Sequence, residues 1–265
     1  MGRGWPCQWP PFGPSCGCRG NQPGFSPSFG NGNGAASAAF ELKFLLEEEA
    51  ALRVEVWARR HLAPDPHAEP SLGGAYTIHS LYLDTPGFDV FRRADADLRH
   101  KYRVRRYGRG DALYLERKTR WGDRVSKQRV AVDDDWLPLL PSDAPAPGWP
   151  GAWFQGEVQA RRLRPVCRIS YRRTAFVGDD CGPVRLTLDR HAHCVPQALW
   201  RVDALGDGLP LLPGRVVLEL KYRDALPALF KRLLVELCLS PGSVSKYRRG
   251  VEAWKLAPPA AAEVC

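Results

Sequence analysis

From Ala39 onward the chain repeatedly alternates between apolar and charged positions. Phe40-Glu41-Leu42-Lys43-Phe44 sets the pattern. In an extended strand, residues two apart share a face. Phe40, Leu42 and Phe44 therefore lie on one side and Glu41 and Lys43 on the other. Lys101-Tyr102-Arg103-Val104-Arg105 alternates the same way. A Gly-containing turn follows, then a second strand from Ala112 to Thr119 on which Tyr114, Glu116 and Lys118 share a face. The pair predicts a hairpin with one apolar and one charged side. Further strands are expected over Tyr76–Asp84, Arg124–Val132 with Lys127, Val166–Phe176, Val184–Asp189 and Arg215–Tyr222. Ile169, Tyr171 and Arg173 share one face of their strand. Arg185, Thr187 and Asp189 do so on the next, as do Glu219 and Lys221 on the last.

Between the strands, helical spacing is expected over Glu47–His61, where Ala50, Val54 and Trp57 fall on one side. A short helix is expected from Thr85 through about Arg93. Others follow over Trp153–Leu163 and Leu226–Leu239, and a last one opens at Ser243 and runs to about Leu256. Residues 133 to 152, rich in proline and aspartate, read as a loop. His191-Ala192-His193-Cys194 reads as a loop after a strand.

An antiparallel sheet with one face in water accounts for one or two such strands. It fits poorly here, because a solvated face normally mixes in Ser, Thr, Asn and Gln. The amphipathic helices also need an apolar surface to pack on. If they cover the apolar face from outside, the charged face turns inward, as in a curled sheet with a polar interior. The predicted class is α+β, an antiparallel β-barrel with helices packed outside. The inward set holds ten cations (Lys43, Lys101, Arg103, Arg105, Lys118, Lys127, Arg173, Arg185, Lys221 and Lys246) and four acids (Glu41, Glu116, Asp189 and Glu219), an excess of six. Like charges repel strongly at low dielectric. Such a lumen is tenable when wet or filled by a polyanion, and a phosphate chain fits in size and charge. The few acids suit Mg²⁺ or Mn²⁺, which take carboxylates together with phosphate oxygens.

Composition narrows the partners. The 265 residues carry a net charge of +9, with 44% hydrophobic and 25% charged positions. This favours an anionic partner. Nucleic acid is disfavoured, because the cations alternate into one face instead of clustering with exposed aromatics. No apolar run approaches a membrane span. Eight cysteines without a C-x-x-C pair read as a reduced, cytoplasmic protein. Residues 1–36, rich in Gly, Pro, Ser and Asn, read as a disordered tail. Their alternating glycines follow no strand and read as a linker, and their three cysteines match no zinc spacing. A folded domain is expected over 37–256, and a short tail over 257–265.

In order along the chain, Glu41-Leu42-Lys43, Tyr82-Leu83-Asp84-Thr85, Lys101 through Arg105, Glu116-Arg117-Lys118, Tyr171-Arg172-Arg173, Arg185 through Asp189, Glu219-Leu220-Lys221 and Ser245-Lys246-Tyr247 resemble the motifs of the triphosphate tunnel metalloenzyme superfamily. Within it they are similar to the VTC domain of polyphosphate polymerases. Y-x-R and S-K-Y favour that branch. The triphosphatase and cyclase branch usually opens with E-x-E-x-K, and here residue 39 is Ala. The resemblance implies an antiparallel β-tunnel that binds ATP and polyphosphate with Mn²⁺ or Mg²⁺. It casts Arg103, Arg105, Tyr171, Arg173 and Lys246 as catalytic. Lys43, Lys101, Lys118, Lys127, Arg185 and Lys221 become phosphate or ATP ligands, and Glu219, with Glu41 and Glu116, the metal ligands. It implies γ-phosphoryl transfer from ATP to a growing polyphosphate chain. Hydrolysis of a triphosphate or tripolyphosphate in the same tunnel, and a non-catalytic polyphosphate-binding role, stay open. VTC domains can work beside membrane proteins, and any such link here would run through a partner.

Overall fold

A computed structural model describes residues 39–259, apart from 95–98, 109, 123, 143–147, 179–182 and 204–207. The expected N-terminal tail, with its glycine run and three cysteines, and most of the expected C-terminal tail lie outside the described residues.

Eight long strands are present: β1 (Ala39–Glu47), β2 (Ala75–Asp84), β3 (Arg99–Tyr107), β4 (Leu113–Trp121), β5 (Arg124–Val132), β6 (Arg164–Gly178), β7 (Val184–Pro196) and β8 (Arg215–Tyr222). They pair antiparallel in the order β6-β2-β3-β4-β5-β1-β8-β7, and β7 returns to β6, so the sheet closes into a barrel. Closure is uneven. Among the described residues, β5 and β1 pair at Ala39↔Val125 and Phe40↔Arg124. Further along β1, its free edge is taken up by Gly242, whose N–H donates to the Lys43 carbonyl at 2.7 Å. Two-residue strands at Ala63–Pro64 and Leu209–Pro210 extend the sheet beside β6 and β7.

The helices explain why the apolar face points outward. α1 (Glu48–His61) places Glu48 and Glu49 in its first turn and Arg59, Arg60 and His61 in its last, matching the helix dipole. Its Val54 and Trp57 join Phe44, Leu186, Leu188, Leu218 and Leu220 in one outer core, completed by Phe230 and Leu233 of α4 (Ala228–Glu236). The Trp57 indole donates to Glu236 and ties the two helices together. α3 (Ala152–Ala160) lays Phe154 and Val158 over Leu81, Val104 and Leu115 on the far side.

A short α2 (Asp89–Arg92) begins four residues later than the Thr85 start expected from the sequence. Asp84 accounts for the delay. Its carboxylate accepts the N–H groups of Thr85, Val90 and Phe91, fixing a turn ahead of the helix. Two corrections concern the loops. Within the expected loop 133–152, Asp134–Leu139 forms a 3₁₀ helix that buries Leu137. His191 to Cys194 is not a loop but the second half of β7. His191 has φ 52°, and the register with β6 shifts there. The irregularity hides the alternation and keeps Ala192 and Cys194 buried.

The last helix, α5 (Lys246–Ala253), is capped by the Ser245 hydroxyl, which accepts the Arg248 N–H. It sits at one end of the barrel, where Tyr247 and Val251 pack with Tyr82, Ile169, Tyr171 and Cys194. The Tyr247 hydroxyl donates to Asp84 at 2.5 Å. Gly250 is needed there, since a Cβ would lie 2.7 Å from the Cys194 sulfur.

Candidate functional site

The alternating charged positions do converge. Inside the barrel they form ion-pair nodes, each built on a buried carboxylate. Glu116 is fully buried on β4. It accepts from Arg103 Nε at 2.6 Å, with Lys127 Nζ at 3.3 Å, Arg129 at 3.7 Å and Arg105 at 4.0 Å. Asp189 on β7 takes Arg173 through two hydrogen bonds of 2.6 and 2.8 Å and Lys246 Nζ at 2.6 Å. Glu41 and Glu219, side by side on β1 and β8, share the Lys43 ammonium at 3.0 and 2.7 Å. Lys118 also reaches Glu41 at 2.7 Å, and Lys221 and Arg173 approach Glu219 at 3.8 Å. Arg185 is placed apart, paired with Asp65 and donating to the Tyr76 hydroxyl at 2.9 Å.

Burial alone would raise the Glu116 carboxyl, but Arg103, Lys127 and Arg105 override it and hold the group well below the carboxylate range. The same contest ends the same way at Glu219, through Lys43, Lys221 and Lys246, and at Glu41, through Lys118 and Lys43. These acids stay ionised. Tyr171 goes the other way, since burial lifts its phenol despite Arg105 and Arg173. It keeps its proton and can donate it in a hydrogen bond. Its hydroxyl accepts from Arg105 at 3.2 Å, and Lys246 lies 4.6 Å above its ring. Arg103, Arg105, Tyr171, Arg173 and Lys246 thus surround one region of the lumen.

Sequence reasoning missed several lumen residues. Arg129 and Tyr107 follow Lys127 and Arg105 at the same two-residue spacing, so the alternation itself could have found them. Ser80 and Tyr82 accept from Arg105 and Arg103 at 3.0 and 3.5 Å, which the spacing along β2 also allows. Asp65 lies in the connection after α1, with no periodic signal.

The three expected metal carboxylates do not gather as one set. Glu116 is held within its own hairpin by Arg103, while Glu41 and Glu219 lie together. Among the described residues no group of three His, Cys, Asp or Glu side chains is placed to hold a metal. Two ionised carboxylates that already share one cationic group do suit a hard cation completing its shell with substrate phosphates.

Two lumen groups are poised near neutrality. Burial and the neighbouring Lys43 bring Lys118 down to about 8, despite Glu41. Burial and Glu116 would raise the Tyr107 phenol, but Arg105 and Lys127 bring it down to about 8. As pH rises through 8, Lys118 loses its positive charge and Tyr107 gains a negative one. Both changes weaken an anion site. Tripolyphosphate affinity, measured by calorimetry, is expected to fall across that interval. In a Lys118→Met/Tyr107→Phe protein the fall disappears. An affinity flat through pH 8 in the wild type would refute the assignment.

The fold has solved counterparts. A Bacillus halodurans protein solved as a candidate adenylate cyclase superposes with a TM-score of 0.51 at 14% identity, covering 78% of this chain and 92% of its own. A Hippeastrum candidate adenylyl cyclase, described as having a dominant triphosphatase activity, gives 0.46 at 13%, covering 84% and 97%. The Mimivirus capping enzyme triphosphatase gives 0.35 at 10%, covering 78% and 88%. At 14% identity the likeness to the Bacillus halodurans protein is one of fold. No curated protein matches the chain. The VTC domain family profile matches residues 38–255, which span the whole barrel and α5. The chain belongs to the VTC domain family.

Proposed function

We propose that this protein is a metal-dependent phosphotransferase that moves the γ-phosphoryl group of ATP onto a growing polyphosphate chain. The observation that carries this reading is the group of Arg103, Arg105, Arg173 and Lys246 around the protonated Tyr171 inside a closed barrel. No protein nucleophile is required, because the terminal oxygen of the acceptor chain attacks the γ-phosphorus and ADP leaves. The protein's work is positioning and charge neutralisation. Arg103, Arg105 and Arg173 face the phosphoryl oxygens, Tyr171 donates a hydrogen bond to one of them, and Lys246 neutralises charge beside it. Lys43, Lys101, Lys118, Lys127 and Lys221 line the path of the remaining phosphates. Arg185, set apart with Asp65, serves a phosphate further along. Glu219 with Glu41 would hold Mn²⁺ or Mg²⁺, which would screen charge between adjacent phosphates.

Purified protein incubated with ATP and Mn²⁺ is expected to yield ADP and a ladder of acid-labile chains on a gel. Free phosphate or pyrophosphate from the start, with no chain, would replace the polymerase with a tunnel hydrolase. Polyphosphate binding without ATP consumption would leave a binding domain.

A further inference from the structure

Asp189 joins three elements at one carboxylate. It lies on β7, and its side chain is fully buried. Arg173 comes from β6, whose register sets it directly across from Asp189. Its Nε donates to one carboxylate oxygen at 2.6 Å, and a terminal nitrogen donates to the other at 2.8 Å. Lys246, the first residue of α5, donates to that second oxygen at 2.6 Å. Both cations also lie against one aromatic ring. The Arg173 guanidinium is 5.4 Å from the centre of the Tyr171 ring, and the Lys246 ammonium is 4.6 Å from it. The next residue of α5 repeats the arrangement, since Tyr247 donates to the buried Asp84 of β2. Two successive residues thus clamp the start of α5 to carboxylates on two different strands.

This geometry has two opposed effects on an entering anion. Burial would raise the Asp189 carboxyl, but Arg173 and Lys246 hold it below its ordinary value, so it stays charged. A buried negative charge beside a phosphate chain weakens binding. The same carboxylate fixes two long side chains that would otherwise sample many rotamers. A bidentate fork and an ammonium already held at one spacing need no reordering when charge develops between them.

We infer that Asp189 is a positioning residue for phosphoryl transfer, which holds Arg173 and Lys246 in their working arrangement over Tyr171 while lowering the affinity of the lumen for polyphosphate. The inference rests on the reading of the lumen as a phosphotransfer site. Its signature is a variant that binds its ligand more tightly yet turns over more slowly.

The test uses Asp189→Asn and Asp189→Glu, with tripolyphosphate affinity by calorimetry and single-turnover rates at saturating ATP and Mn²⁺. Asp189→Asn removes the charge at constant size. Tripolyphosphate should then bind at least ~10-fold more tightly, because the repelling charge is gone. Turnover should fall ~10²-fold, as when a group at the reaction centre is misplaced by about 1 Å. Asp189→Glu keeps the charge but shifts it by one methylene. Its affinity should match wild type, and its turnover should still fall. If Asp189→Asn does not fold, the two readouts on Asp189→Glu decide alone. Beside an active wild type, lower affinity together with lower turnover in Asp189→Asn would mark a carboxylate that only supports the fold, and would overturn the inference. Full turnover in Asp189→Glu overturns it as well. Wild-type protein that binds tripolyphosphate but never consumes ATP fails earlier, sinking the phosphotransfer reading and the positioning role with it.

Discussion

Replacing Arg173 by alanine is expected to cut ATP turnover by ~10²–10³-fold, the usual cost of removing one charged donor from a transition-state site. ATP affinity should fall much less, because the remaining lumen cations still hold the ground-state phosphates. The split matters. A residue that only binds substrate would raise KM and leave kcat alone. Arg173→Lys keeps the charge but loses the two-pronged contact with Asp189, so it should fall between wild type and alanine. Single-turnover rates at saturating ATP, with circular dichroism to confirm the fold, make the measurement. Unchanged kcat in the alanine variant would remove Arg173 from the chemistry.

Glu116→Gln is expected to destabilise the protein by ~3–5 kcal/mol, the range found when one partner of a buried ion pair is removed. The substitution keeps the size of the side chain but leaves Arg103, Lys127, Arg129 and Arg105 facing one another without their common counter-charge. Tripolyphosphate should restore much of the loss, because a ligand that binds only the folded state adds stability with its concentration. Denaturant midpoints with and without tripolyphosphate report both effects. An unaltered midpoint, or a loss that tripolyphosphate does not repair, would show that Glu116 is not what balances this part of the lumen.

Much of this was legible beforehand, for a physical reason. A barrel with a charged interior forces charged residues into strict alternation with apolar ones, a louder pattern than the mixed polar face of a solvated sheet. Lys101, Arg103 and Arg105 on β3, and Glu116 and Lys118 on β4, show it most clearly. Two kinds of residue escaped. At His191 the register with β6 shifts, the alternation breaks, and the second half of β7 looked like a loop. Asp65 comes from a connection whose position is set by packing, so no local spacing announces its pairing with Arg185. Convergence is a third matter. Alternation says that Glu41, Glu116 and Glu219 face inward, but not which of them meet. That depends on strand order, which makes β1 and β8 neighbours and gives Glu116 to the arginines of its own hairpin.

The joint between β5 and β1 is the seam that closes the wall. A linear polymer inside a sealed ring is threaded like a string through a bead and can leave only along its own length. Among the described residues, Ala39↔Val125 and Phe40↔Arg124 pair across this seam. For a threaded chain, sideways escape requires the wall to part, and the connection through Gly242, whose N–H donates to the Lys43 carbonyl, ties β1 to a segment outside the strand pairing.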